Sequence, residues 1–253
     1  MATRLMLHRG ARLVERPELD AVDPPHATST FFPVKHSVVL ERVLETLEGS
    51  GYRVTRQQLA LSADNHRFFA TVDVDAPIMD GVSLMIGLKT ATDRSTALSW
   101  CAGERIFVCD NGAFSATTVV ARRHTKFGER RFGVAVAQAV LGLSEYKAVA
   151  AKRIETLQHF DLSEDAANSY LLQAAERGVV GWRLLPQVIK EWRNPQHEEF
   201  RPRTAWSLFN AFTEVLKDRQ RTQPARAAAE TIQLQSLLLQ KENALDAEFH
   251  EVS

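Results

Sequence analysis

Residues 87–114 read GLKTATDRSTALSWCAGERIFVCDNGAF. Apolar and β-favouring residues fill two runs, Val82–Thr90 and Leu98–Cys109, and the polar residues Thr90–Thr96 between them form a turn. Two such runs around a short polar turn predict a hairpin of antiparallel strands. The second run ends in Val108-Cys109-Asp110-Asn111-Gly112, which sets a thiol, a carboxylate and an amide beside a glycine.

The same pattern extends upstream. Arg53–Ser62 and Phe68–Val74 read as strands around a turn at Ala63–His66. Four or five strands in series with short connections, over residues 52–120, predict an antiparallel meander. Before it, Val39, Leu40, Val43, Leu44 and Leu47 recur at helical spacing over His36–Glu48. Ser37 is a candidate N-cap there, and Gly49-Ser50-Gly51 ends the helix. Residues 1–33, punctuated by Pro17, Pro24 and Pro25, read as an irregular arm.

Beyond Thr117 the pattern turns helical. Phe132–Phe160 is alanine-rich and reads as one long helix. Ser163 with Glu164 and Asp165 starts a second, through about Arg177. Gln187–Trp192 behind Pro186, Thr204–Arg219 and Ala225–Leu245 follow. Trp182, Trp192 and Trp206 are expected in the core of this half. The expected class is α+β: an N-terminal helix, an antiparallel meander of about four or five strands, and a mostly helical C-terminal half. One domain would span 34–220, with a helical or frayed tail over 221–253.

The chain has 253 residues, 45% of them apolar and 25% charged, with 31 basic residues against 31 acidic. Overall charge therefore argues for no particular partner, and any electrostatic binding must come from uneven distribution. Cys101 and Cys109 form no CxxC pair, and no His/Cys cluster has zinc spacing. The expectation is a reducing, cytoplasmic protein with no cofactor, no metal and no membrane association: no apolar run has signal-peptide length or nears the ~20 residues of a span. P-loop, dinucleotide, HExxH and GxSxG motifs are absent.

Three candidate sites remain. Cys109-Asp110-Asn111-Gly112 is either a buried thiol followed by a turn or the nucleophile of a cysteine enzyme, with His124 and His66 the nearest bases. The segment Arg122-Arg123-His124-Thr125-Lys126-Phe127-Gly128-Glu129-Arg130-Arg131-Phe132 holds five Arg or Lys and a His in eleven positions. It is either a solvated face or a loop whose cations meet phosphates and whose Phe127 stacks on unpaired bases, a role also open to Tyr52. Lys147, Lys152 and Arg153 either extend this basic face or pair with Glu145 and Glu155, and Arg4, His8, Arg9, Arg12 and Arg16 make a second cluster, a nucleic-acid-binding arm or a solvated terminus. Asp93-Arg94-Ser95 is a hairpin tip or a ligand-touching loop, and His36 a surface or capping residue.

Several of these elements carry a resemblance. The strand Leu84–Leu88, the turn Asp93-Arg94-Ser95, the element Val108-Cys109-Asp110-Asn111 and the later Thr204-Ala205-Trp206-Ser207-Leu208-Phe209-Asn210-Ala211-Phe212-Thr213-Glu214 resemble the phage/plasmid-like family known as domain of unknown function family 932. The likeness covers roughly Pro33–Arg219. The family's turn usually reads Ser-His-Asp-Gly-Ser, and here it is Ala91-Thr92-Asp93-Arg94-Ser95. The resemblance implies a mobile-element context and DNA metabolism. In order of elements the chain is also similar to single-strand annealing proteins of the RecT/Redβ type, which lay DNA in a basic groove beside a meander. The expected function is single-stranded DNA binding or annealing in recombination, without catalysis, by a homo-oligomer. The expected contacts are Arg122, Arg123, His124, Lys126, Phe127, Arg130, Arg131, Lys152 and Arg153. The alternatives are a regulatory or structural protein-binding factor and an enzyme using Cys109, Asp93 or Asp110.

Overall fold

The structure, a computed structural model, describes residues 12–106, 111–217 and 230–239, with the backbone alone over 111–118. The chain is α+β. Strand β1 (Arg12–Val14), helix α1 (Arg16–Asp20) and helix α2 (His36–Gly49) precede strands β2 (Val54–Leu61), β3 (Arg67–Met79), β4 (Val82–Ala91), β5 (Leu98–Ile106) and β6 (Asn111–Arg122). Helices α3 (Gly128–Leu141), α4 (Leu143–His159), α5 (Glu164–Glu176), α6 (Leu185–Arg193) and α7 (Ala205–Val215) follow, and residues 230–239 are helical.

The six strands form one antiparallel sheet in sequence order, β1 to β6. The expected meander is thus present and longer than expected. Residues 12–14 pair with β2, so a strand and a short helix occupy part of the stretch read as an irregular arm. β6 also runs on to Arg122, opposite Leu98, where helical character was expected.

Strand alternation sorts the residues onto two faces. Phe68, Ala70 and Val72 of β3, Leu84, Ile86 and Leu88 of β4, and Leu98, Trp100 and Ala102 of β5 share one buried face through their pairings. The buried stripes of α2 (Val39, Leu40, Val43, Leu47) and α3 (Phe132, Val136, Val140) supply its cover. His36, at the start of α2, stacks on Phe68 with ring centroids 5.5 Å apart. The opposite face carries polar groups: Asp73 accepts from the Arg105 guanidinium at 2.8 Å and lies 3.8 Å from that of Arg56.

Ser37 does not cap α2. The helix begins one residue earlier, at His36 after Lys35, and Ser37 is buried within it. The expected helix Phe132–Phe160 is two helices, broken at Gly142, whose N–H returns to Ala139 O. Ser163 caps α5 by accepting from Ala166 N–H, and Thr204 caps α7 by accepting from Ser207 N–H.

Contacts group the described residues into two compact units, one through Ala148 and one from Val149 onward. In the second unit Leu162 N–H donates to Arg203 O and Ala205 N–H to Phe160 O, so the end of α4 pins the start of α7. Trp192, Phe209 and Phe212 fill its core. Among the described residues no single helix is long and apolar enough to cross a membrane.

Candidate nucleic-acid interface

The basic segment spans the last residue of β6, the loop 123–127 and the start of α3. Two turns shape the loop: Thr125 N–H donates to Arg123 O at 2.9 Å, and Gly128 N–H to Thr125 O at 2.8 Å. Gly128 is required by space. A Cβ there would lie 2.4 Å from Arg123 O. The loop thus folds tightly against the first residue of α3.

Arg122 is opposite Leu98 and shares the face of the sheet on which α3 packs. On α3, Arg130, Arg131, Val134 and Gln138 recur at helical spacing behind Phe127. Together these residues and Ala135 line a surface groove of about 600 Å³. Phe127 is 55% exposed. Lys126 Nζ stands over its ring, 5.8 Å from the centroid.

Arg122, Arg123, Lys126, Arg130 and Arg131 are all exposed, and among the described residues none forms an ion pair. Several basic residues of the same unit are paired instead. Arg12 pairs with Glu18, Arg16 with Asp20 and Glu41, Arg42 with Glu45 and Glu129, Lys35 with Asp23. A second groove, of about 450 Å³, is lined by Arg12, Glu18, Asp23, Asp64 and His66, with Arg12 paired to Glu18 and Asp23 to Lys35. Arg130 and Arg131 also sit at the positive end of α3, where cations oppose the helix dipole. Helix stability does not explain them there, whereas an anion at that end satisfies both.

His124, one of the expected contacts, is placed differently from the exposed cations. It is buried, its Nδ1 accepts from Val34 N–H at 3.2 Å, and its Nε2 lies 3.0 Å from Thr90 Oγ1. Phe32 N–H donates to its carbonyl at 3.0 Å, and Phe31 packs on its ring at 5.4 Å. Desolvation lowers its pKa, so it is a neutral pin between the incoming chain and β4.

Lys152 and Arg153 belong to the second unit, where Lys152 is exposed and Arg153 half-buried on α4. Tyr52 is half-buried in the turn after α2 and lines no part of the groove. Of the N-terminal cluster, Arg4, His8 and Arg9 lie outside the described residues, and Arg12 and Arg16 are paired.

The catalytic candidates fare differently. Cys109 and Asp110 lie outside the described residues. Desolvation pushes the Cys101 thiol up to about 12, and its nearest hydrogen-bond partner is Gly87 O at 3.8 Å, not a base. Asp93 closes its own turn. Its carboxylate accepts from Ser95 N–H at 2.8 Å and Arg67 Nε at 2.9 Å; burial works to raise its pKa, and these bonds outweigh that and hold it at about 2. Arg94, at φ 69, lies 4.9 Å over the Phe31 ring. Among the described residues no group of three His, Cys, Asp or Glu could hold a metal ion.

Sequence reasoning missed Val134 and Gln138, whose signal was their helical phase with Arg130 and Arg131. It also missed that Trp182 is exposed. No curated protein and no solved structure matches the chain. The model of the family described as domain of unknown function (DUF932) matches residues 26–238. The Asn and Thr of the later motif are core residues: Asn210 Nδ2 donates to Trp206 O at 2.8 Å and Thr213 Oγ1 to Asn210 O at 3.0 Å. With most of its length under that match, the chain belongs to the DUF932 family.

Proposed function

We propose that this chain is a non-catalytic, cytoplasmic protein of mobile-element context that binds single-stranded DNA and assembles as a homo-oligomer, with annealing as its use in recombination. The observation that carries the reading is the groove at Arg122, Phe127, Arg130, Arg131, Val134 and Gln138, whose cations have no acidic partners among the described residues. Phosphates supply the missing counter-charge, and release of their counterions drives binding. Phe127 and Val134 offer an apolar surface to a base, and stacking on an aromatic is worth about 1–3 kcal/mol per base. Duplex DNA keeps its bases stacked inside and gains nothing from that surface.

Anisotropy of a labelled oligothymidylate, titrated over a salt series, tests this. Five phosphate contacts give a slope of log K against log salt of about −3.5, at roughly 0.7 per contact. The variant Arg130→Ala/Arg131→Ala should bind more weakly and lose about 1.4 of that slope. Salt-insensitive binding, or an unchanged variant, sinks the reading.

A second reading, a regulatory protein-binding factor, draws on the exposed Val119, Val134 and Leu141. It predicts that Leu141→Asp abolishes function while oligonucleotide affinity stays at the level of the parent chain.

A further inference from the structure

The four tryptophans divide unevenly. Trp100, Trp192 and Trp206 are 0%, 1% and 8% exposed, whereas Trp182 is 59% exposed. Trp182 lies in the turn between α5 and α6, and that turn is firmly held. Val179 and Val180 are wholly buried, Val179 N–H donates to Ala174 O at 2.9 Å, and Leu184 N–H donates to Gly181 O at 2.8 Å. Gly178 takes the left-handed conformation, φ 73, that lets the chain reverse after α5. The indole is therefore displayed from a fixed backbone and not from a loose end.

Its chemical setting selects the occupant. Residues 177–190 contain Arg177, Arg183 and Lys190 and no carboxylate, with Trp182 near the middle. Arg183 is exposed and has no ion pair or hydrogen bond among the described residues. An exposed aromatic next in sequence to an unpaired guanidinium offers the two groups that one repeating unit of single-stranded nucleic acid needs: a base to stack and a phosphate to neutralise. The chain neighbours Gly181 and Arg183 are themselves exposed.

We infer that Trp182 is a stacking platform for an unpaired nucleobase, with Arg183 meeting the adjoining phosphate: a base-binding site in the second unit, separate in sequence from the α3 groove. The inference rests on the single-stranded DNA reading above.

The other three tryptophans are buried, so the emission lost on Trp182→Phe isolates the indole in question. In the full chain, an unlabelled oligothymidylate should quench that component and shield it from acrylamide. An abasic oligomer of equal length should bind without shielding it. Trp182→Ala should weaken oligonucleotide binding about tenfold, within the range expected for one lost stack, while Trp182→Phe keeps most of the affinity. Should Trp182→Ala fold poorly, the quenching difference between the parent and Trp182→Phe decides alone. Bound oligonucleotide by anisotropy with unchanged indole emission and acrylamide access overturns the inference and leaves the groove reading standing. Failure of the parent chain to bind oligonucleotide overturns both. Shielding that grows with protein concentration alone assigns Trp182 to a protein contact and overturns the inference.

Discussion

The imidazole of His124 accepts from Val34 at one nitrogen, so it is neutral with its proton on Nε2, facing Thr90. Protonating Nδ1 would set two donors against each other. His36, also buried, has a lowered pKa, chiefly from desolvation, and its Nε2 lies 3.1 Å from Asn65 O. Both folded-state pKa values are depressed, so between them and the unfolded value the unfolded chain binds more protons. Stability should be fully present above about pH 6.5, the ordinary histidine value, and fall as the pH drops below it. Denaturant midpoints measured from neutral to mildly acidic pH check this; a flat profile, or a rise towards acid, contradicts the assignment. The identity of the exposed cations was legible because charge density is a local property. The role of His124 was not, because its partners Val34 and Thr90 are 90 and 34 residues away. Trp182 misled for a related reason: Val179 and Val180 take the core positions that a tryptophan was expected to fill.

At the scale of elements, the loop 123–127 and α3 behave as one device. Gly128 sets the spacing, and Arg131 N–H donates back to Phe127 O at 3.0 Å to start the helix. Gly128→Ala forces a Cβ onto Arg123 O. The expected cost is about 1–3 kcal/mol, the range for overpacking, read as a lowered melting temperature, and oligonucleotide affinity should fall with it because Arg122 and Arg123 shift. A variant with unchanged melting and binding would show the loop to be slack. The meander, its turns and the starts of α5 and α7 could be read from alternation and from Ser163 and Thr204, since these signals span only a few residues. The break at Gly142 could not. A lone glycine inside an apolar helical pattern is compatible with an unbroken helix, and packing decides which occurs. The end of β6 was also hidden, because Leu98 on the far side of the hairpin fixes its register.

For the whole molecule, 31 basic residues balance 31 acidic ones, yet five cations within residues 122–131 form no ion pair among the described residues. A net charge near zero gives little long-range steering of any charged ligand. Size-exclusion chromatography with light scattering should give a mass above that of one 28.4 kDa chain, and a larger complex with a single-stranded oligonucleotide. A monomer under both conditions removes the oligomer from the reading. The clasp of Phe32 and Val34 on His124 has a further consequence. It joins the segment entering α2 to the loop that carries the unpaired cations, so the two share one conformational equilibrium. By thermodynamic reciprocity, a ligand that grips residues 28–34 and a strand that lies on Arg122 and Arg123 change each other's affinity by one common factor, in whichever order they bind.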